Sequence, residues 1–141
     1  MAERQWMRLS VTSHPEYLEP LRNVVRETTV LSGLPTEKGE QVVLAVVEGW
    51  TNVIRHCYEN CYNKPIDLEI EIDDENLTFR ISDYGTFVEP HTMRGRDLED
   101  VKPGGLGLHL MKKVMDEVRY EKNASGGTRL TLVKKLSPSE G

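Results

Sequence analysis

The order of the periodic segments predicts an α+β fold, a two-layer sandwich in which helices cover one face of a mainly antiparallel mixed sheet. Residues 66–73 and 77–83 alternate strictly between apolar and polar side chains on either side of a short Asp-Glu-Asn turn. This pattern predicts an antiparallel hairpin. Before the hairpin, two longer segments repeat apolar residues at helical spacing, which predicts two consecutive helices.

The rest of the chain supplies the remaining elements of the sandwich. The patterns predict strands at 7–13, 118–122 and 128–136, and helices at 15 to about 31, 35 to about 59 and 104 to about 117. The resulting order, β-α-α-β-β-α-β-β, differs from the strict alternation of a doubly wound nucleotide fold. Residues 84–103 lack a period, and a stretch of that length is typical of a lid or binding loop.

Length and charge limit the classes of function. A chain of 141 residues suits one domain, which we place at 1–136 with a frayed tail at 137–141. The net charge of −5 disfavours nucleic-acid binding, which needs clustered basic residues. Two cysteines fit a reducing compartment, and no run is as apolar as a signal peptide or a membrane span. We therefore expect a cytoplasmic protein that binds neither nucleic acid nor membrane.

A polar stripe on the second helix is the first candidate site. At 100° per residue, Glu48, Asn52 and Arg55 lie within about 60° of one another on the helix surface. An amide oxygen can ligate Mg²⁺, a nearby carboxylate can accept a proton, and a guanidinium can neutralise phosphate charge. Alone, the stripe is more typical of the polar edge of an amphipathic helix.

Three further segments have the residue types of a nucleotide site. Asp83 ends a strand and Gly85 follows two residues later. The carboxylate can accept a hydrogen bond from an exocyclic amine, and the glycine lets a flat ring approach the backbone. The glycines of Gly104-Gly105-Leu106-Gly107-Leu108 begin a helix, whose free N–H groups suit an anion. Gly126-Gly127-Thr128 begins the last strand. Separately, these segments are more typical of an Asp-x-Gly turn, a flexible helix entry and a hairpin turn.

In this order the four segments resemble the GHKL (Bergerat-fold) ATPase superfamily, the ATP-binding domain of histidine kinases, DNA gyrase, Hsp90 and MutL. The resemblance spans roughly Met7 to Leu136 and matches an N box and three glycine boxes. Within the superfamily the chain looks most like the anti-sigma-factor serine kinases of bacterial partner-switching systems. The bare domain, the strand–helix–helix opening and the continuation from Phe87 to Pro90 are similar to that subgroup. Phe87 stands where the broader family has the second glycine of its first glycine box.

The resemblance implies a Mg²⁺-ATP site with assigned roles. Glu48 would be the general base, Asn52 would hold Mg²⁺, and Asp83 would bind the adenine amine. The full set implied for ATP binding is Asn52, Arg55, His56, Asp83, Gly85, Phe87, Gly104, Gly105, Leu106, Gly107, Leu108 and Thr128. Within it, Arg55, His56 and residues 104–107 would contact phosphates, and Thr128 would help at the adenine.

The same resemblance implies partners and leaves alternatives open. The family's substrate is a serine on a STAS-domain anti-anti-sigma protein, its other partner is a sigma factor, and the subgroup is often dimeric. The first hypothesis is a protein serine kinase. The second is a nucleotide-binding interaction module that sequesters a regulator without significant kinase activity. A third is an ATP-hydrolysing fragment of a larger sensor kinase. The presence of Glu48 favours the kinase.

Overall fold

Strands with alternating apolar residues form a five-stranded sheet, and apolar helix faces cover one side of it. The structure, a computed structural model, describes residues 4–85 and 103–136. Its elements are strand β1 (Gln5–Thr12), a 3-10 turn (Pro15–Tyr17), helices α1 (Leu18–Ser32) and α2 (Thr36–Asn52), a π-helical segment (Val53–Cys57), strands β2 (Pro65–Ile72) and β3 (Asn76–Asp83), helix α3 (Pro103–Val114), and strands β4 (Glu117–Lys122) and β5 (Thr128–Lys135). The predicted α+β sandwich is confirmed.

The sheet has the order β1-β2-β3-β5-β4, and each of these neighbouring pairs is antiparallel. In the β2–β3 hairpin, Ile66 lies opposite Asp83 and Glu69 lies opposite Arg80. Arg80 contacts two glutamates of β2, with its Nη1 2.8 Å from Glu71 and 3.7 Å from Glu69. This register fixes which side chains face the helices.

The hydrophobic core lies between the helices and the inward face of the sheet. Trp50 of α2 and Phe79 of β3 are among its largest fully buried side chains. Helix α2 lies between α1 and α3 and contacts both. It also packs on β3 and β5, and Gly49 of α2 lies against Ile81 of β3 and Leu130 of β5.

The second helix ends earlier than the pattern predicts. The α-helical hydrogen bonds stop at Asn52, and a π-helical turn follows in which Tyr58 N–H donates to the Val53 carbonyl at 3.0 Å. Glu59 and Asn60 then have left-handed backbones, with φ of 50° and 62°. A left-handed pair cannot continue a right-handed helix, so the helical segment ends at Cys57, shortly before the expected end at about residue 59.

The other boundaries differ by small shifts. The first helix begins with the 3-10 turn, and α3 ends at Val114 because Glu117 already pairs with β5. In the part of the chain that the structure describes, no helix has both the length and the apolar character that crossing a membrane requires. The predicted lid or binding loop lies almost wholly outside the described residues, as does the predicted tail.

Candidate functional site

Asn52 is the buried centre of the polar stripe on α2. Its side chain is 1% exposed, and its Oδ1 accepts a hydrogen bond from Arg55 Nη1 at 3.0 Å. Its Nδ2 is also buried and has no acceptor among the described residues. Glu48 lies one helical turn earlier and is half-buried. The structure therefore brings Asn52 and Arg55 into contact and places Glu48 next to them along the helix.

The π-helical turn carries the rest of this segment toward β5. His56 is 8% exposed, so it lies within the fold rather than on the surface. The neighbouring Cys57 thiol lies 3.7 Å from Thr128 Oγ1, a contact that joins the end of the helix to the start of β5. Because a π turn is one residue wider than an α turn, it rotates these side chains relative to a continuous helix. Such turns occur often at functional sites.

Asp83, the last residue of β3, is fully buried and is the second centre of the site. Its Oδ1 accepts the N–H of Gly85 at 2.9 Å and that of Thr128 at 3.3 Å. The nearby Cys57 thiol also favours the carboxylate. Oδ2 of Asp83 has no hydrogen-bond donor among the described residues. Burial raises the pKa of Asp83, and the hydrogen bonds only partly offset that increase.

The turn between β4 and β5 is built around Asn123. Its Nδ2 donates to the carbonyl of Asp83 at 2.8 Å, and its Oδ1 accepts from Gly127 N at 3.0 Å. Gly127 needs to lack a side chain, because a Cβ there would lie 2.7 Å from Asp83 Oδ1 and even closer to the Asp83 carbonyl oxygen. The Gly126-Gly127-Thr128 segment thus gives Thr128, which is 1% exposed, its position against Asp83.

Tyr58 fixes the segment that follows Asp83. Its hydroxyl donates to the Pro65 carbonyl at 2.5 Å and accepts the N–H of Tyr84 at 2.8 Å. A Cβ at Gly85 would lie 2.5 Å from the carbonyl oxygen of Cys57 and against the Tyr58 ring, so glycine permits this close approach. Burial raises the pKa of Tyr58 to about 12, which keeps the hydroxyl protonated and able to donate.

Two further predicted segments lie at the margin of the description. Gly104, Gly105, Leu106 and Gly107 belong to the first turns of α3, as the glycine pattern predicts. Leu108 is 2% exposed and packs in the core. Phe87 lies outside the described residues.

Sequence reasoning missed Asn123, Tyr58 and Cys57 as contributors to the site. Asn123 stands before a small-residue turn, where asparagine is common, and this was the one local signal available. No local pattern marks Tyr58, because its partners Pro65 and Tyr84 belong to other segments. Among the described residues, no group of three or more His, Cys, Asp or Glu side chains is placed to hold a metal ion.

Comparison with known proteins matches residues 11–134 to the family described as histidine kinase-like ATPase domain. The serine-protein kinase RsbW of Listeria innocua is 30% identical over 127 residues, covering 83% of this chain and 81% of that protein. An anti-sigma F factor of Clostridium botulinum is 35% identical over 100 residues, covering 68% of this chain and 70% of that protein.

Among solved structures, that of the RsbU and RsbW domains of Rv1364c from Mycobacterium tuberculosis matches with a TM-score of 0.65 over 94% of this chain. The sequence identity is 18%, so this likeness concerns the fold. The chain spans about a third of that protein, 32% of its length.

Proposed function

We propose that this chain is an ATP-dependent protein serine kinase. The chain belongs to the histidine kinase-like ATPase domain family and to its anti-sigma-factor serine kinase subgroup, and this membership supports the proposal. Its substrate would be a STAS-domain anti-anti-sigma protein, and a sigma factor would be its second partner in a bacterial partner switch. One observation carries the nucleotide part of this proposal: the buried carboxylate of Asp83 has an oxygen without a hydrogen-bond donor in the described chain.

A buried, ionised oxygen without a donor is unfavourable for the folded protein. The exocyclic amine of adenine would supply the missing donor to Asp83 Oδ2. Its other oxygen is already held by Gly85 and Thr128, so the carboxylate cannot turn away. Asp83 would therefore recognise adenine, with Thr128 beside it and Phe87 from the adjoining segment.

The phosphate end of the nucleotide would lie toward α2 and α3. Arg55, His56 and the N–H groups of residues 104–107 are the groups that would meet the phosphates. The donor set fits Mg²⁺ if Arg55, which donates to Asn52 Oδ1 in this structure, turns to the phosphates when the ion binds. Asn52 Oδ1 is then a free hard oxygen ligand, and Mg²⁺ takes few protein ligands and fills the rest with phosphate oxygens and water. When bound, Mg²⁺ would neutralise charge on the β- and γ-phosphates.

Glu48 would act as the general base. The serine hydroxyl oxygen of the partner would attack the γ-phosphorus, its proton would pass to the Glu48 carboxylate, and the bond from the γ-phosphorus to the bridging oxygen would break to release ADP. Helix α2 holds Glu48 and Asn52 one turn apart, so the proton acceptor and the phosphate-side ligand share one rigid element.

The test uses labelled ATP, Mg²⁺ and each purified STAS-domain protein from the organism that encodes this chain. We compare wild type, Glu48→Gln, and the control Glu75→Gln, which alters an exposed glutamate in the β2–β3 turn. We expect phosphoserine on one STAS protein with wild type and with Glu75→Gln. Glu48→Gln should transfer phosphate about 100-fold more slowly or worse, and Mg²⁺-ATP should still raise its melting temperature.

Two results would contradict the proposal in different ways. If wild type phosphorylates none of the STAS proteins but is stabilised by ATP, the kinase claim fails and the sequestering nucleotide-binding module is the better description. If neither ATP nor ADP raises the melting temperature, the nucleotide site itself is wrong.

A further inference from the structure

A line of side chains on the outer surface of α1 and α2 leads to Glu48. We define the α1–α2 strip as Val30, Arg26, Glu40 and Leu44. Val30 is 66% exposed and Leu44 is 56% exposed, although both are apolar. Between them, Arg26 Nε lies 2.7 Å from Glu40 Oε2, and Arg26 Nη2 lies 3.1 Å from Glu40 Oε1. The strip thus consists of an ion pair with an exposed apolar side chain at each end.

Helix geometry makes the strip continuous. Val30 follows Arg26 by four residues on α1, and Leu44 follows Glu40 by four residues on α2, so each apolar side chain lies one turn from the ion pair. Glu48 follows Leu44 by four residues and comes next on the same face. The two hydrogen bonds of the ion pair join the two helices, so the path from Val30 to Glu48 is unbroken.

We propose that the α1–α2 strip docks the protein substrate of the kinase and delivers its hydroxyl group to Glu48. This inference rests on the proposed function. A protein substrate must cover the surface around the general base, and the strip is the exposed apolar surface that continues directly from Glu48 along α2. Leu44 is the residue that the substrate would bury most fully, because it is nearest to the chemistry.

Charge indicates what the docking surface of the substrate looks like. Glu37 lies on the same face of α2, two turns before Leu44, and is exposed. The whole chain carries a net charge of −5. The complementary surface therefore has apolar side chains that contact Leu44 and Val30, with basic side chains at its rim facing Glu37.

Single exposed apolar residues are common on protein surfaces and need no explanation. The strip differs in its position, and the chain provides a matched control for that difference. Leu31 is 72% exposed and neighbours Val30, but it points about 100° away from Val30 around α1 and lies off the strip. If exposure alone mattered, Leu31 and Leu44 would behave alike.

The experiment measures phosphorylation of the STAS-domain protein that the wild type modifies, over a range of concentrations of that protein. The variants are Leu44→Gln, Val30→Gln and the control Leu31→Gln, all at exposed positions where glutamine suits a helix. For Leu44→Gln we expect KM for the STAS protein to rise about tenfold or more, with kcat and the ATP-induced thermal shift unchanged. Val30→Gln should raise KM less, and Leu31→Gln should match the wild type.

The outcomes separate the docking proposal from the proposed function. If wild type phosphorylates the STAS protein and all three variants have its KM, the strip is not the docking surface although the kinase assignment stands. If Leu44→Gln converts a dimer to a monomer by light scattering while KM is unchanged, a second copy of the chain covers the strip and substrate docking is overturned. If wild type modifies no STAS protein, the proposed function fails first, and the docking proposal fails with it.

Discussion

Replacing Asp83 with asparagine would test the nucleotide site while keeping the shape of the side chain. The Oδ1 of asparagine can still accept the N–H groups of Gly85 and Thr128, which fixes the orientation of the amide. The position of Oδ2 then carries an NH₂ group, which would face the adenine amine as donor against donor. A hydrogen bond to a charged group contributes about 1.5–3 kcal/mol, so ATP should bind about 10- to 150-fold more weakly.

The same substitution should have the opposite effect on stability without nucleotide. Burial raises the pKa of Asp83 above its ordinary value of 3.8, so the folded protein holds the proton more tightly than the unfolded chain. The charged carboxylate therefore destabilises the folded state at pH 7, and this penalty disappears as the pH falls through the raised pKa to below 3.8. Asp83→Asn should unfold at a higher temperature than wild type at pH 7, and the gain should vanish in acid.

Calorimetric titration with Mg²⁺-ATP and thermal unfolding at several pH values would measure both effects. Asp73→Asn is the matched control, because Asp73 Oδ1 also accepts two backbone N–H groups, at 2.8 Å each, in the β2–β3 turn away from the site. Its ATP affinity should equal that of the wild type. Wild-type affinity in Asp83→Asn would refute the adenine assignment. A lower melting temperature at pH 7 without nucleotide would refute the argument from the buried charge.

Three further substitutions test other parts of the site. Asn52→Ala should lose the Mg²⁺-dependent part of the rise in melting temperature that ATP causes, but keep the rise that ATP causes in EDTA without the ion. If the Mg²⁺ dependence is intact, the ion binds elsewhere. Gly127→Ala puts a Cβ 2.7 Å from Asp83 Oδ1. The free energy of unfolding, measured in urea, should therefore fall by about 1–3 kcal/mol, and ATP should bind more weakly. Unchanged values would show that the turn can shift to make room for the methyl group. Tyr58→Phe leaves two backbone groups without their hydrogen-bond partner. It should lower the free energy of unfolding by about 1–3 kcal/mol, whereas the control Tyr62→Phe, at an exposed position, should change it little. Because the pKa of Tyr58 is raised to about 12, the wild type should also lose stability from pH 10 upward in a way that Tyr58→Phe does not.

Local patterns predicted the strands and helices in which buried side chains recur at the spacing of the backbone itself, alternating in a strand and one turn apart in a helix. Ile66, Leu68 and Ile70 alternate with acidic residues, and each of these apolar side chains is buried in the sheet. The same reasoning predicted that Asn52 and Arg55 would meet, because residues three apart on a helix are neighbours. In these cases the sequence interval alone sets the distance.

Contacts between distant segments could not be predicted in this way. The helix pattern continues past Asn52, but the backbone changes there to a π turn and then to two left-handed residues, and Tyr58 between them is held by Pro65 and Tyr84. Asn123 contacts Asp83 across 40 residues. Neither set of contacts produces a periodic pattern in the sequence, because each forms only after the sheet has brought distant segments together.

Helix α2 unites these observations, since its different faces have different partners. One face is buried in the core with Val46 and Trp50, and the helix contacts β3 and β5. The polar stripe beside that face holds Asn52, which would meet the proposed nucleotide. The outward face carries Leu44 and Glu48 one turn apart. A substrate that binds at Leu44 would thus be positioned by the same rigid element that holds the general base and the phosphate-side ligand. Docking at Leu44 would stabilise the bound partner equally in the ground state and the transition state, so a substitution at Leu44 should raise KM while kcat and the geometry of the site stay unchanged.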